Sequence, residues 1–543
     1  MSPIVSTILE NRGITAAALE EFLHPTLDKL AKPESLPGIV EAADFVLDSV
    51  VYRRKIVVFG DYDCDGVCAT AIVSRTLKAL GGDVSEFIPD RLTEGYGMSE
   101  ASIARMLKNN PGVGLVVTVD NGINSVEEVT NLKRKWCSVV VTDHHLPGET
   151  LPDANAIVDP KLAAPPELSN LCGAGVAFLL ANRIVSEAKR RGIYKGSPLG
   201  GPLLVMAGLA TVTDIMPLLG QNRILVSEAL KRFPSCAPTG LRELHARAAR
   251  NVRDVMTTRD FGYMIGPRIN AAGRLASPLE ALELLTSEDR EIVRELARLV
   301  DGYNVERKNI EQAMVDAAME QVVPDAPAQV IDLKDGHPGV AGIVASRLME
   351  KLGACVPVCV YAGNHGSARA PAGLNVRDAF VACSDALVRF GGHAAAGGFT
   401  VKEGRIDDFR RMMCDYFEQR RGAIPAAGER QPEYWLKSSD VTLELAEEIL
   451  ALEPFGEGNP EPVFGLQGVL FSEVKPLGVD GKHLSIVLRR SGLRAIRWNA
   501  GDMVEKLRAE SAVPHDILFT LAVSDYSERH VELRLVDLRL SRQ

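Results

Sequence analysis

The chain has 543 residues, a length that accommodates about three or four domains. Hydrophobic residues make up 46% of it and charged residues 24%, the composition of an ordinary globular protein rather than a membrane, fibrous or disordered one. The net charge of −10 argues against indiscriminate binding to nucleic acid, but it leaves room for a local basic groove.

Cysteine usage and the terminal segment bear on the compartment. The nine cysteines are odd in number and include no CxxC pair, so neither a disulfide framework nor a zinc ribbon is expected. The first residues, MSPIVSTILENRG, lack the basic region and apolar core of a signal peptide. The longest apolar run, Leu203–Val212, is too short to cross a bilayer. We therefore expect a cytoplasmic protein without a membrane segment.

In chain order, residues 1–50 read as an N-terminal helical segment, and strands then alternate with helices over residues 51–287. Helical stretches such as Cys68–Leu80 and Ser99–Leu107 separate the predicted strands. This alternation predicts a doubly wound α/β domain with a parallel sheet. The apolar runs that predict its strands are Ile56–Phe59, Val84–Ile88, Leu115–Val119, Val139–Thr142 and Ile157–Val158.

Three further segments follow. Residues 288–323 form one long helical pattern, a connecting helix with an apolar stripe at Ile292, Leu296, Leu299 and Tyr303. Residues 324–421 predict a second, smaller α/β unit. Gly422–Pro432 reads as a linker, since it is rich in Ala, Gly and Pro. A helix at Leu443–Leu450 and regularly spaced short strands predict a small β-barrel over residues 430–543.

The motif DYDCDG follows the first predicted strand and contains Asp61, Asp63 and Asp65. If this segment stays extended, residues i and i+2 point the same way, so Asp63 and Asp65 converge. Two carboxylates about 4 Å apart repel by roughly 4 kcal/mol at an effective dielectric near 20. The motif therefore calls for a cation, and oxygen ligands suit Mg²⁺ or Mn²⁺. The alternative is a solvated acidic turn.

Other acids and histidines also follow apolar runs. Asp120 lies in VTVDNG, His144 and His145 lie in VTDHHLPG, and Asp214 lies in TVTD. Carboxyl ends of parallel strands are where open α/β sheets bind ligands. Because neighbouring side chains on an extended chain point to opposite sides, we expect one of the two histidines to face the carboxylates. Together these groups predict a metal site.

In this order, the motifs DYDCDG, VTVDNG, TDHH and TVTD resemble the DHH phosphoesterase superfamily. IPDRLTEGYGMS (88–99), IGPRINAAGRL (265–275) and LEPFGEGNPEPVF (452–464) resemble its RecJ branch. GSARAPAGLNV (366–376) and RFGGHAAAGGF (389–399) resemble the DHH-associated domain. The resemblance implies a parallel-sheet DHH domain, a long connecting helix, a smaller DHH-associated domain and a C-terminal OB-fold barrel.

The resemblance also implies an activity: a 5′→3′ exonuclease for single-stranded DNA that releases 5′-mononucleotides by a two-metal mechanism, in DNA repair and recombination. It implies two Mn²⁺ or Mg²⁺ ions held by Asp63, Asp65, Asp120, His144 and Asp214. His145 is expected to contact the scissile phosphate or to orient a ligand. Asp61 and Asp143 either support the ligands or are plain turn residues. The substrate-binding residues implied are Arg268, Asn270, Arg274, Ser367, Arg369 and His393.

Several alternatives stay open from the sequence. Arg268 and Arg274 would otherwise form an interdomain ion pair, and Arg91 and Tyr96 either contact DNA or hold a loop. The basic stretch Lys482–Trp498 is either a single-strand groove or a solvated edge.

Two positions depart from the family pattern, which has a metal-binding His at Phe59 and often a Ser at Ala370. The alternative activity is a DHH-family phosphodiesterase for short oligonucleotides or cyclic dinucleotides. Expected partners are single-stranded DNA, single-strand-binding protein and a RecQ-type helicase, with a monomeric chain and no membrane.

Overall fold

The computed structural model describes residues 1–91, 94–95, 97–196, 200–249, 255–423, 430–524 and 529–541. The chain divides into two compact units. We call them the terminal unit, which comprises Met1–Leu30, Ile215–Glu228 and Glu429–Gln543, and the central unit, which comprises Ala31–Asp214 and Ala229–Gly428. None of the described helices combines the length and the apolar content needed to span a lipid bilayer.

The central unit contains the predicted parallel sheet. Three helices precede it: α1 (Pro3–Asn11) and α2 (Ala16–Leu23), both of the terminal unit, and α3 (Ile39–Val51). The alternating elements are β1 (Lys55–Phe59), α4 (Cys64–Ala79), β2 (Asp83–Phe87), α5 (Glu100–Asn109), β3 (Val113–Val119), α6 (Val126–Arg134), β4 (Ser138–Thr142) and β5 (Ala156–Val158). The strand order is β2-β1-β3-β4-β5 with every pair parallel, an order typical of doubly wound folds. All five predicted strands are confirmed.

Helices follow the sheet: α7 (Gly173–Arg190), α8 (Gly200–Thr213), α9 (Gly220–Cys236), α10 (Thr239–Ala248), α11 (Gly266–Leu275), α12 (Pro278–Thr286) and α13 (Arg290–Met319). The long connecting helix is confirmed as α13, but the predicted apolar stripe is wrong by one residue. Ile292 is 40% exposed, whereas Val293, Ala297 and Val300 are buried. This stripe is the buried one because α10, α11 and α12 pack against it.

A smaller mixed sheet forms the second α/β part of the central unit. Its elements are β6 (Gln329–Leu333), α14 (Ala341–Lys351), β7 (Val358–Ala362), β8 (His365–Arg369), α15 (Val376–Ala382), β9 (Leu387–Gly392), β10 (Ala396–Val401) and α16 (Ile406–Glu418). The strand order is β6-β7-β8-β10-β9. Only the β6–β7 pair is parallel. The predicted linker 422–432 falls largely outside the described residues.

The terminal unit is rich in β-structure. It contains β11 (Tyr434–Trp435), α17 (Leu443–Leu450), β12 (Phe464–Val469), β13 (Phe471–Leu477), β14 (His483–Leu488), β15 (Arg494–Arg497), α18 (Val504–Ala509), β16 (His515–Ser524) and β17 (His530–Leu540). The seven strands form one sheet in the order β11-β12-β16-β17-β15-β14-β13. Val5, Ile8 and Phe22 of the first two helices share this unit's hydrophobic core. The predicted helix and the run of short strands are confirmed.

Arg223 of α9 holds three segments of the terminal unit together. Its side chain is 2% exposed, and its guanidinium lies 3.8 Å from the ring centre of Phe22. Nε donates to the carbonyl of Phe22 at 2.7 Å, and Nη2 donates to the carbonyls of Leu452 and Glu453 at 3.0 and 2.8 Å. Burial lowers the pKa of Arg223 to about 10. Its charge is therefore stabilised by carbonyl dipoles and a ring face.

We expect Arg223→Met to destabilise the terminal unit by roughly 2–4 kcal/mol, because it removes the guanidinium donor from the carbonyls of Phe22 and Glu453. Urea unfolding of the full chain, followed by circular dichroism, measures the change. Arg242→Gln is the control, since Arg242 is exposed and donates only to Thr239 among the described residues. Equal midpoints for the two variants would contradict this role of Arg223.

Candidate metal centre

The acidic motif after β1 is shaped by the start of a helix. β1 ends at Phe59, and α4 begins at Cys64 with Asp63 as its N-cap. One carboxylate oxygen of Asp63 accepts the backbone N–H groups of Asp65 at 3.0 Å and Gly66 at 3.1 Å. The expectation of an extended segment is therefore wrong here, because Asp65 lies in the first helical turn. Capping, and not strand alternation, sets the positions of Asp63 and Asp65.

Asp65 is anchored by a helix that begins 108 residues later in the sequence. Its two carboxylate oxygens accept the N–H groups of Gly173 and Ala174, each at 2.7 Å, at the N-terminus of α7. The positive end of that helix favours a carboxylate. Burial and the nearby Asp63 charge nevertheless raise the pKa of Asp65 to about 6. The site thus holds this carboxylate in place without fully compensating its charge.

His144 connects the remaining predicted ligands. Its Nε2 lies 3.0 Å from Oδ1 of Asp120. The same atom lies 3.7 Å from Oδ2 of Asp65 and 3.7 Å from Oδ2 of Asp214. The structure therefore brings together residues from the ends of β1, β3, β4 and α8.

Asp61, whose role the sequence left open, belongs to the same cluster. Its ligand atom and those of Asp63 and Asp120 lie within 4.8 Å of one another. Phe59, where the family pattern has a histidine, is wholly buried and its ring centre lies 5.0 Å from that of Phe87. Asp61 therefore offers a carboxylate that the aromatic residue cannot. The signal in the sequence was the first aspartate of DYDCDG.

Both histidines approach the carboxylates. Ligand atoms of His144, His145 and Asp120 lie within 4.8 Å of one another, so the expectation that only one would face them is wrong. The strand β4 ends at Thr142, and alternation of side chains no longer applies beyond it.

Asp143 is the residue that orients His145. Its carboxylate lies 2.7 Å from Nδ1 of His145 and accepts the N–H of Ile123 at 2.9 Å. Burial would lower the pKa of His145, but its bond to Asp143 raises it above the usual value.

The cluster carries more negative charge than the described protein groups can balance. Burial first, and then the neighbouring carboxylates, raise the pKa of Asp120 and Asp61 well above the usual range and that of Asp214 to about 9. One oxygen each of Asp61 and Asp214 is buried and has no hydrogen-bond partner among the described residues, and the buried Oδ1 of Asp120 faces Nε2 of His144. Carboxylate oxygens with an imidazole nitrogen form a donor set that suits Mn²⁺ and Mg²⁺. The residues present therefore fit a divalent-cation centre.

Of the predicted substrate-binding residues on α11, all three make contacts within the protein. Nε of Arg268 donates to Asp301 of α13 at 2.8 Å, which is an ion pair of the kind that the sequence left open. The side-chain oxygen of Asn270 accepts the N–H of Cys64 at 2.7 Å, so it fixes the acidic motif. Arg274 donates to the carbonyl of Gly339 at 3.0 Å.

Ser367 and Arg369 lie on β8, beside the first turn of α14. A Cβ added to Gly342 would lie 3.1 Å from Nη2 of Arg369 and 3.4 Å from Oγ of Ser367. Burial and the charge of Arg91 lower the pKa of Arg369. Arg91 in turn lies 4.9 Å from the ring centre of Tyr62, next to Asp61. Arg91 therefore lies close enough to act electrostatically both on Arg369 and on Asp61 of the acidic cluster.

For the remaining predicted positions, the structure gives no contact with the acidic cluster among the described residues. His393 is exposed, and among the described residues no side-chain contact joins it to the cluster. Ala370 is buried, and its N–H donates to the carbonyl of Ala395 at 2.9 Å. Tyr96 lies outside the described residues.

Family models match three parts of the chain: the DHH family N-terminal domain at 55–198, the DHHA1 domain at 325–419 and the RecJ OB domain at 433–537. The chain is 35% identical over 549 residues to the single-stranded-DNA-specific exonuclease RecJ of Dickeya dadantii, covering 96% of this chain and 93% of that protein. The chain belongs to the RecJ family.

Solved RecJ structures from Thermus thermophilus are similar throughout. The Mn²⁺ complex has a TM-score of 0.85 and 33% identity, and the match covers 100% of this chain and 76% of that one. The Mg²⁺ complex has a TM-score of 0.78 and 31% identity, with coverage of 100% and 75%. The likeness confirms the fold class that the sequence predicted for this RecJ-family chain.

We expect Gly173→Ala to disrupt the acidic cluster, because its Cβ would lie 2.6 Å from Cβ and 2.7 Å from Oδ1 of Asp120. Cleavage of single-stranded DNA should fall by at least about tenfold, the effect of a displacement of about 1 Å or less at a catalytic centre. The matched control is Gly302→Ala on α13, where an added Cβ meets no atom within 4 Å. Full activity of Gly173→Ala would contradict this packing constraint.

Proposed function

We propose that this RecJ-family chain is a single-stranded-DNA-specific exonuclease that hydrolyses phosphodiester bonds from the 5′ end and releases 5′-mononucleotides, in DNA repair and recombination. The observation that carries the proposal is the cluster of buried and partly buried carboxylates with two histidines, on which the charge of Arg91 acts. The named activity of the Dickeya relative supports the substrate class.

The metal ligands in this proposal are the five predicted residues, with Asp61 added on the geometry of its cluster: Asp61, Asp63, Asp65, Asp120, His144 and Asp214. Two Mn²⁺ or Mg²⁺ ions, when bound there, would supply an activated water and charge neutralisation for an in-line displacement at phosphorus. Asp120 is the candidate for a shared ligand, because it occurs both with Asp61 and Asp63 and with the two histidines.

His145 is assigned to the scissile phosphate. Its Nδ1 lies 2.7 Å from the Asp143 carboxylate, and this contact sets the orientation of the ring. Two backbone N–H groups, of His144 at 2.7 Å and of Ile123 at 2.9 Å, fix the Asp143 carboxylate in turn. This chain of bonds would hold the imidazole in one orientation, where it can donate to a phosphate oxygen.

A terminal-phosphate pocket explains the choice of the 5′ end. Arg369 forms no salt bridge with any described carboxylate, and the charge of Arg91 acts on it. Ser367 and the first turn of α14 lie beside it, and helix N-termini with an arginine favour phosphate. Arg268 is committed to Asp301, so Arg91 and Arg274 replace it in the proposed pocket.

The C-terminal domain supports binding of the downstream strand. Its basic stretch Lys482–Trp498 covers β14 and β15, and Trp498 is 58% exposed. An aromatic ring among cations is a sequence-tolerant way to hold single strands. The match to a RecJ OB domain disfavours the alternative activity on short oligonucleotides or cyclic dinucleotides.

The proposed domain boundaries are 1–50, 51–287, 288–323, 324–421 and 430–543. A cytoplasmic monomer that works with single-strand-binding protein and a RecQ-type helicase completes the proposal.

We expect Asp120→Asn to abolish cleavage while leaving the chain folded. Loss of one carboxylate relieves repulsion from Asp65, Asp63 and Asp61 in the metal-free protein. The thermal unfolding temperature of the wild type should rise when Mn²⁺ is added, since a ligand that binds only the folded state stabilises it. That rise should be much smaller in the variant. If Asp120→Asn showed the same rise in unfolding temperature with Mn²⁺ as the wild type and still cleaved DNA, the proposed metal centre would be contradicted.

We expect Arg369→Ala to slow cleavage of 5′-phosphorylated single strands far more than that of 5′-hydroxyl strands. Charge-assisted bonds to phosphate are roughly twice as strong as neutral ones, so removal of the guanidinium acts mainly on the charged end. Initial rates on both substrates measure the ratio. Arg377→Ala, an exposed arginine on α15, should leave the ratio unchanged. Equal slowing of both substrates by Arg369→Ala would assign the arginine to general backbone binding.

A further inference from the structure

The amino edge of the parallel sheet, opposite the acidic cluster, carries a dense set of cations. Two sequence stretches lead into strands here: YRRK (52–55) before β1 and LKRKW (132–136) before β4. They contribute six cationic residues to one edge of a chain whose net charge is −10. The two stretches lie on the same edge because β1, β3 and β4 are adjacent and parallel.

Two exposed aromatic rings accompany these cations. Trp136 is 94% exposed and Tyr52 is 73% exposed. Within the described residues, Lys133 pairs with Asp153, but no carboxylate forms a salt bridge with Arg53, Arg54 or Arg134. One strand separates β1 from β4, so the two stretches lie about 10 Å apart. We call Tyr52–Lys55 and Lys133–Trp136 the amino-edge patch.

Two non-glycine residues of the amino-edge patch have a left-handed backbone conformation, which usually favours glycine. Arg53 and Trp136 both have left-handed backbones, with φ of 53° and 62°. Each residue directly follows a helix C-cap, a position that glycine usually occupies. Each donates its N–H back to the helix: Arg53 to the carbonyl of Val50 at 3.0 Å, and Trp136 to the carbonyl of Lys133 at 2.9 Å.

The neighbouring connections of the same sheet provide an internal comparison. Before β2 and β3 the left-handed residue is Gly81, with φ of 82°, and Gly112, with φ of 78°. Glycine adopts this conformation without strain, whereas arginine and tryptophan do not. Gly81 directly follows its helix C-cap, as Arg53 and Trp136 do, whereas Gly112 lies one residue further along. At two of these four connections the chain therefore accepts strain and places a cation or a large ring in solvent. Such strained residues point to a function.

We propose that the amino-edge patch is a second binding surface for single-stranded nucleic acid, on which Trp136 stacks with a base and the flanking arginines and lysines contact phosphates. Exposed rings among cations are the combination that holds single strands independently of sequence. The strand β1 has five residues, so the patch lies about 17 Å from the acidic cluster.

The patch would therefore hold a segment of strand other than the one being cleaved, and it would raise the affinity for long substrates. This role rests on the proposed function only in its choice of single strands as the ligand.

Glycine substitutions at the two left-handed positions remove the side chains without destabilising the fold. Weaker binding by such a variant therefore cannot result from unfolding. The variant Arg53→Gly/Trp136→Gly removes the cation and the ring but relieves both strained positions, so its urea midpoint should equal or exceed that of the parent. A second variant, Arg134→Gln/Lys135→Gln, removes charge alone. Its control is Arg290→Gln/Lys351→Gln, an equal change at two exposed cations on α13 and α14. All full-length proteins carry Asp120→Asn, so that the probe stays intact.

The probes are fluorescein-labelled oligothymidylates of about 40 and about 8 nucleotides, long and short relative to typical single-strand sites. For the long probe we expect Arg53→Gly/Trp136→Gly to bind about fivefold or more weakly, since loss of one stacked base has at least this effect. The slope of log K against log salt should fall by about 0.7 for each phosphate that the variant no longer binds. Quenching of intrinsic fluorescence by the probe should also decrease when Trp136 is absent. The 8-nucleotide probe should bind all variants alike.

Unchanged affinity and unchanged salt slope for the long probe would overturn the proposal. An oligoglutamate peptide that binds the parent but not the variants, while DNA binding is unaffected, would also overturn it in favour of an acidic protein partner. With Asp120 restored, the short substrate should be cleaved at the parental rate by both variants, and the long substrate should show a higher KM. Failure of the parent itself to cleave DNA would refute the proposed function without touching the binding measurement.

Discussion

Repulsion among buried carboxylates is the constraint on which the central unit depends. Asp61, Asp65, Asp120 and Asp214 come from three separate parts of the chain; the surrounding fold buries the first three and leaves Asp214 partly exposed. The N-cap of α4 and the N-terminus of α7 offset part of the charge through backbone N–H groups. The remaining negative charge requires cations. The site therefore favours bound metal ions, and it lowers the stability of the metal-free protein.

Close packing is how the fold enforces this arrangement. A Cβ on Gly173 would lie 2.6 Å from Cβ of Asp120, and one on Gly66 would lie 2.5 Å from the carbonyl oxygen of Asp61. Asn270 of α11 reaches back to the N–H of Cys64 and so joins the acidic motif to a helix 206 residues away. The carboxylates cannot relax apart because the backbone around them is already in contact. Preorganisation of this kind is what catalysis by positioned charge needs.

The parallel sheet thus carries different chemistry at its two edges. Its carboxyl edge concentrates acids, and the charge of Arg91 acts on Asp61 there. Its amino edge concentrates cations with Tyr52 and Trp136 exposed. Because a strand has only a few residues, opposite charges are separated by the sheet itself and do not neutralise each other. A polyanionic strand would be attracted to both places for different reasons.

The sequence by itself determined the parallel sheet, the long helix α13 and the motif residues Asp63, Asp65, Asp120, His144 and Asp214. Strand and helix signals are local, and carboxyl ends of parallel strands meet by necessity. Only the tertiary structure decided that Asp61 joins the cluster, that Arg268 pairs with Asp301, and that Met1–Leu30 shares a core with the C-terminal domain. It also decided which face of α13 is buried, one residue away from the apolar stripe. These outcomes depend on partners outside the local segment or on packing against other helices, and no local pattern encodes such partners.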